Sequence, residues 1–397
     1  MSAQPTATAR LLLGVVARMV RIGTLEVATP GMRRVLAGEA PGPRASITIH
    51  DPAAVARRLL RGGSVGFAEA YMEGLWDTAD LPALLELAAR NHDAHRRTRV
   101  GPALIGGARA VWNRLMPDRH VAAVRTMVEH YNLGNEFYGR WLDPSMSYSS
   151  AVFDGVDDLG GAQRVKYRRI AALAGIRPGE RVLEIGCGWG AMTEHAAGEL
   201  GCMVTAVTIS TEQHSYVTRR IKEVGLEDRV EVLLADFRDI EGRYDRVLSI
   251  EMIESIDEAS WGPLYEVIAR SLLPGGVAAL QAITIDHDLH ESMIGRDDFI
   301  RSYIFPGGAL PSTGVLRRLG DEAGLEWIGM TTHGPSYART LSEWNRRFVA
   351  AWPGIAGASP RFDDRFFRMW RYYLSYCEAG FRTGRLDGVQ VAYRRPA

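Results

Sequence analysis

The run RVLEIGCGWG at 181–190 constrains this chain more than any other segment: an apolar strand that ends in Gly186, Gly188 and Gly190 and opens at once into the helical pattern AMTEHAAGEL. Glycine there lets the backbone turn sharply and lets a ligand come close. The spacing is not the G-x-G-x-x-G of a dinucleotide loop, which seats a phosphate on a helix N-terminus. From about residue 163 the loop sits in a series. RVLEIG, MVTAVTI, VEVLLAD, YDRVLSI and VAALQAITI read as strands, and AMTEHAAGEL, TEQHSYVTRRIKEVG and WGPLYEVIARSLL as helices between them. Apolar strands separated by helices imply a parallel sheet covered on both faces. Right-handed crossovers then bring the strand C-termini to one edge, where ligands bind.

With 397 residues the chain is too long for one ordinary domain. The expected division is a small N-terminal α+β domain over 1–120 and an α/β catalytic domain over 121–397. SITIH (46–50) alternates like a strand, Asp51-Pro52 starts a helix, Gly62-Gly63 ends it, and FAEAYMEGLW and LPALLELAARN continue as helices. The Gly-, Ala- and Arg-rich stretch 101–119 reads as a linker. Leu11, Leu12, Val15, Val16, Met19 and Val20 follow helical spacing with Arg10, Arg18 and Arg21 between them. Such a helix lies on a membrane or packs on its own domain, and packing is the commoner outcome.

Basic and acidic residues balance at 47 each, so nothing draws the whole chain to nucleic acid; only local patches could. Cys187, Cys202 and Cys377 show neither metal spacing nor a disulfide framework, which suits a reducing cytoplasm. His130 and His195 read as packing or surface residues, and no metal site is expected. No stretch is apolar for long enough to span a bilayer, so a lipid substrate would be reached from the surface.

The acidic residue before the glycines, Glu184, makes the loop E-x-G-x-G-x-G, which resembles motif I of the class I S-adenosylmethionine methyltransferases. The resemblance implies a Rossmann-like sheet flanked by helices and a cofactor without a phosphate. The second strand ends in Thr208 rather than a carboxylate, leaving Thr208 and Gln213 to meet the ribose. Asp236 suits an exocyclic amine and Phe237 a stacked adenine.

Three further segments narrow the resemblance. HYNLGNEFY (130–138) with LDPSMSYSSAVF (142–153), SIEMIESID (249–257) and YIFPGGALPS (303–312) look like the cyclopropane-fatty-acyl-phospholipid and mycolic acid cyclopropane synthases. That family implies S-adenosyl-L-methionine as donor and the cis double bond of an unsaturated phospholipid acyl chain as acceptor. It places Tyr131, Tyr148, Ser149, Glu184, Gly186, Gly188, Gly190, Thr208, Gln213, Asp236 and Phe237 at the cofactor. Glu254 and Tyr337 fall on positions that hold a bicarbonate ion in the family, and Ile283 on one that offers it a backbone contact. Two residues depart from the pattern. Ser150 stands where the family usually has Cys, and Gln281 where it often has His. Both keep a hydrogen-bonding group and lose a titratable one, which puts bicarbonate in question. Peripheral contact with the inner membrane face, no nucleic acid and a homodimer complete the expectation.

An isolated alkene is a poor nucleophile, and methylating it leaves a carbocation with no stabilising neighbour. Such a site must align the reactants, exclude water and supply a base. Proton loss with ring closure gives a cyclopropane; a hydride shift first gives a methylene branch. Glu254 is the leading electrostatic candidate, with Glu251 three residues earlier competing for the role. Tyr337 would hydrogen-bond the base or face the cation. Trp344, Phe348, Trp352 and the aromatic residues of 362–381 read as core first, and together as the wall of an acyl cleft. A catalytically silent lipid-binding relative is the rival from another class.

Overall fold

A computed structural model describes residues 6–97, 133–293 and 298–397. Tyr131 and the linker expected over 101–119 lie outside the described residues. The chain divides into two compact units. Of the described residues, 6–97, 298–306 and 348–383 form one, and 133–293, 307–347 and 384–397 the other.

The first unit holds a four-stranded sheet, β1 (Ile22–Thr29), β2 (Met32–Ala37), β3 (Ala40–Ile49) and β4 (Trp76–Asp77), in the order β2-β1-β3-β4. β1 and β2 were not expected from the sequence, although β1 alternates half-buried and buried residues along its whole length. Asp51 caps the next helix, Pro52–Met72, by accepting from the backbone N–H groups of Ala53 and Ala54 at 3.0 and 2.9 Å. Gly63, at φ 55° and ψ −124°, leaves helical geometry and breaks the run where the sequence placed an end, and a second helical stretch continues to Met72. The helix Asp364–Arg382 packs on Pro52–Met72 and Leu81–Arg97. Its rings join those of other elements of the unit, Tyr372 lying 5.8 Å from Tyr71 on Pro52–Met72 and 4.8 Å from Phe299. The sequence reading assigned all of 121–397 to the catalytic domain; 298–306 and 348–383 instead pack with the N-terminal elements.

The second unit is a seven-stranded sheet, β5 (Arg181–Ile185), β6 (Met203–Thr208), β7 (Val230–Leu234), β8 (Tyr244–Ile250), β9 (Leu272–Ile285), β10 (Glu326–Thr332) and β11 (Leu386–Arg394), in the order β10-β11-β9-β8-β5-β6-β7. β5 to β9 are mutually parallel, and β11 runs antiparallel between β9 and β10. Adjacent strand residues bury into opposite faces. Leu183 and Val247 pack with Trp261, Leu264 and Ile268, whereas Val182 and Leu248 pack with Ile170, Met192 and Ala196. This is the α/β sheet flanked by helices that the sequence implied, extended at one end by β10 and β11.

Candidate active site

Every strand from β5 to β8 hands its C-terminal end to a loop that carries polar side chains. After β5 come Gly186, Gly188 and Gly190, at φ 81°, 55° and 80°, a region that L-residues rarely adopt. The three differ in what a side chain would meet. A Cβ at Gly186 would lie 2.9 Å from Met252 Cγ, and one at Gly190 2.8 Å from Val217 Cγ1; at Gly188 it would point into open space. Gly186 and Gly190 are therefore packing glycines, and Gly188 is the one that faces outward. A bulky residue at Gly186 would strike Met252.

Glu184 is buried beneath this loop. Its Oε2 accepts from Thr193 Oγ1 at 2.5 Å, and burial pushes its carboxyl up to about 7. At the end of β6, Thr208 donates to Gln213 Oε1 at 2.8 Å. Beyond β7, Arg238 holds Asp236 with two bonds of 2.8 and 2.7 Å, keeping that carboxylate below its usual range. Phe237 is packed in the hydrophobic core. An open-faced glycine turn and hydrogen-bonding side chains along one sheet edge fit a nucleoside without a phosphate.

The segment before the sheet closes on this edge. Ser149 Oγ accepts from Lys166 Nζ at 2.6 Å. Lys166, one of two lysines in the sequence, is fully buried, and desolvation pulls its ammonium down to about 8 against the charges of Glu251, Asp143 and Glu184. Tyr148 lies 5.2 Å from Tyr138, 5.8 Å from Trp141 and 5.3 Å from Trp344. Trp189, in the glycine loop, lies 5.0 Å from Tyr138 and donates to Asn135 Oδ1 at 2.7 Å.

The turn after β8 carries two carboxylates, and Met252 between them abuts Gly186. Glu254 Oε1 accepts from the Ile283 backbone N–H. Its Oε2 is buried and has no partner among the described residues. Burial and the neighbouring Glu251 push Glu254 up to about 8. Tyr337 does not reach Glu254; its hydroxyl donates to Glu251 Oε2 at 2.6 Å. Gln281 Nε2 and the Ser150 backbone N–H both donate to Glu251 Oε1, at 2.8 and 2.9 Å. Gln281 is held in turn by Gln390 at 2.9 Å. The sequence reading ranked Glu251 below Glu254, yet Glu251 collects the donors. It does so at φ 50°, a conformation that costs a residue with a side chain about 1–2 kcal/mol.

A bicarbonate does not fit this arrangement. Ser150, Gln281 and Tyr337 already donate to Glu251, Ile283 already donates to Glu254, and an added anion would lie beside two carboxylates.

The family model described as mycolic acid cyclopropane synthetase matches residues 118–391. The chain is 38% identical over 367 residues to tuberculostearic acid methyltransferase UfaA1 of Mycobacterium tuberculosis, covering 88% of this chain and 84% of that one. It is 34% identical over 345 residues to the cyclopropane-fatty-acyl-phospholipid synthase of Escherichia coli K12, covering 85% of each. Among solved structures it is similar to the cyclopropane synthase MmaA2 from Mycobacterium tuberculosis, with TM-score 0.63 and 27% identity over 67% of this chain and 96% of that one. It is also similar to the mycolic acid cyclopropane synthase CmaA1 complexed with SAH and CTAB, with TM-score 0.61 and 28% identity over the same shares.

Proposed function

The chain belongs to the mycolic acid cyclopropane synthetase family of S-adenosylmethionine-dependent methyltransferases, and on that premise we propose that it adds a one-carbon unit to the cis double bond of an unsaturated phospholipid acyl chain, giving a cyclopropane ring. The observation that carries the reading is the half-buried pair Glu251 and Glu254 on a turn packed against the glycine loop through Met252. When bound, S-adenosylmethionine supplies an electrophilic methyl group.

The glycine loop, Glu184, Thr208, Gln213 and Asp236 hold the nucleoside. The rings of Tyr148, Trp141 and Trp344 keep water from a cation on the acyl chain and offer it π faces. Glu254 has a buried carboxyl oxygen to spare for that positive charge. A cation arriving there favours the ionised form of a carboxyl whose proton affinity burial had raised. Peripheral contact with the inner membrane face belongs to the same proposal. Leu11, Val15 and Met19 form an exposed apolar stripe on the helix Ala7–Met19, and among the described residues no helix is long and apolar enough to cross a membrane.

A second reading, a methylene or methyl branch in place of the ring, is favoured by the 38% identical relative, which is named a methyltransferase. One experiment tests both. Methyl-labelled cofactor and unsaturated phospholipid vesicles should yield labelled lipid, with ring protons under the first reading and exomethylene protons under the second. Lipid that stays unlabelled would overturn the proposal.

The glycines give a sharper expectation. Gly190→Ala should destabilise the fold by about 2 kcal/mol or more, through both the clash with Val217 and the positive φ. Gly188→Ala should cost only about 1–2 kcal/mol, the conformational term, but should weaken cofactor binding because its methyl group stands in the open face. Thermal melts and titration calorimetry separate the two effects.

A further inference from the structure

Three donors from three separate parts of the chain converge on one side chain. The Ser150 backbone N–H precedes the sheet, Gln281 lies on β9 and Tyr337 on the helix Gly334–Ala356, and all of them donate to Glu251. The Glu251 backbone is pinned as well, its N–H donating to the Gln281 carbonyl at 2.8 Å. A non-glycine residue kept at positive φ by so many bonds is strain retained for a use.

We propose that Glu251 is the base of the reaction, a built-in carboxylate that takes the place of a free anion. The inference rests on the one-carbon-transfer reading. One C–H bond of the added methyl group breaks. Its electron pair forms the ring-closing C–C bond to the electron-poor carbon, and the proton forms an O–H bond on Glu251. Loss of that proton to water restores the carboxylate before the next turnover.

The titratable groups that face Glu251 are Glu254 on its own turn, Lys166 from the helix Leu159–Ala174 and Tyr337. Burial raises Glu251's affinity for a proton, as a base requires, while its three donors favour the charged form.

The test uses the full chain in carbonate-free buffer. Glu251→Gly should fold, because glycine adopts φ 50° freely. Its lipid-labelling rate should fall about 10²- to 10⁴-fold, the span general bases contribute. Millimolar bicarbonate should then restore about tenfold or more of that loss by filling the space the side chain left. Glu251→Gln should lose the same activity without rescue, because its amide occupies the space. Wild-type turnover should not respond to bicarbonate. Line broadening of isotope-labelled bicarbonate should appear with Glu251→Gly and not with wild type, a comparison that needs no turnover. A wild-type enzyme that requires or binds bicarbonate, a fully active Glu251→Gly, or a folded Glu251→Gly without rescue would each overturn the proposal. Wild type that labels no lipid would sink the one-carbon-transfer reading, while the binding comparison would still decide whether the Glu251 carboxylate occupies the place of a free anion.

Discussion

Glu254→Gln is expected to lower turnover by about 10²- to 10³-fold while leaving cofactor affinity within about threefold of wild type. The amide keeps an oxygen for the Ile283 N–H, so the turn after β8 holds its shape. What it loses is the ability to carry negative charge beside a cation in a dry site, where such a charge is worth far more than in water. The same substitution should make the protein more stable at alkaline pH. Burial and Glu251 push the Glu254 carboxyl up to about 8, against 4.5 for an ordinary glutamate. Between those values the native state binds a proton that the unfolded state has released, so stability falls as pH rises from about 4.5 to about 8. Glu254→Gln removes that slope and should gain roughly 2–4 kcal/mol at pH near 8, a discounted conversion of the shift. Denaturant melts at several pH values check the stability, and labelled-lipid assays the activity. Equal turnover in the two proteins would remove Glu254 from the chemistry; equal pH slopes would show that its carboxyl is not buried as described.

The sheet was legible where sequence and burial coincide. β5 to β8 are short apolar runs closed by glycine or polar loops, and a parallel strand covered on both faces reads that way. β10 and β11 escaped because EWIGMTT and LDGVQVAYR mix glycine and charge with their apolar residues, which breaks the apolar run that marks the parallel strands. Gly62-Gly63 marked the break between two helical stretches, because Gly63 takes a positive φ that no helix contains. The helix Leu159–Ala174 shows a signal that was available and unused. Gln163, Lys166, Tyr167, Ile170, Ala171 and Ala174 share one buried face, so helical spacing alone placed Lys166 inside, where lysine shifts its pKa and arginine cannot. Glu251 was harder. Nothing in SIEMIES separates its two glutamates, because the donors that single out Glu251 lie at 150, 281 and 337 and meet only in the fold. The resemblance pointed to Glu254, which does face the Ile283 backbone. Of the aromatic residues of 362–381, Phe362, Trp370, Tyr372, Tyr373 and Phe381 are core as their spacing implied and Phe366, Phe367 and Tyr376 are half-buried, but spacing does not say which unit's core.

Trp344→Ala should lower stability by about 3–5 kcal/mol, whereas Trp344→Phe should stay within about 1 kcal/mol of wild type. Trp344 is 1% exposed. Its ring lies 5.9 Å from Trp141, 5.3 Å from Tyr148 and 6.5 Å from Tyr337, so alanine opens a cavity walled by three rings that cannot all collapse into it. Phenylalanine keeps most of that contact. It also deletes the indole N–H, which is buried without a hydrogen-bond partner among the described residues and costs about 1–3 kcal/mol to leave unpaired. The lost packing and the removed donor therefore nearly cancel. The functional effect should follow the cavity. Tyr337 lies seven residues before Trp344 on the same helix and packs against its ring, so the cavity frees the hydroxyl that holds Glu251. Water entering the same space can trap the acyl cation before a proton is lost, so Trp344→Ala should divert labelled lipid into a hydroxylated, methyl-bearing product visible by mass spectrometry. Trp344→Ala that melts with wild type would show that the ring cluster is not a load on the fold. A destabilised Trp344→Ala that makes only the wild-type product would show that these rings pack the unit without guarding the cation.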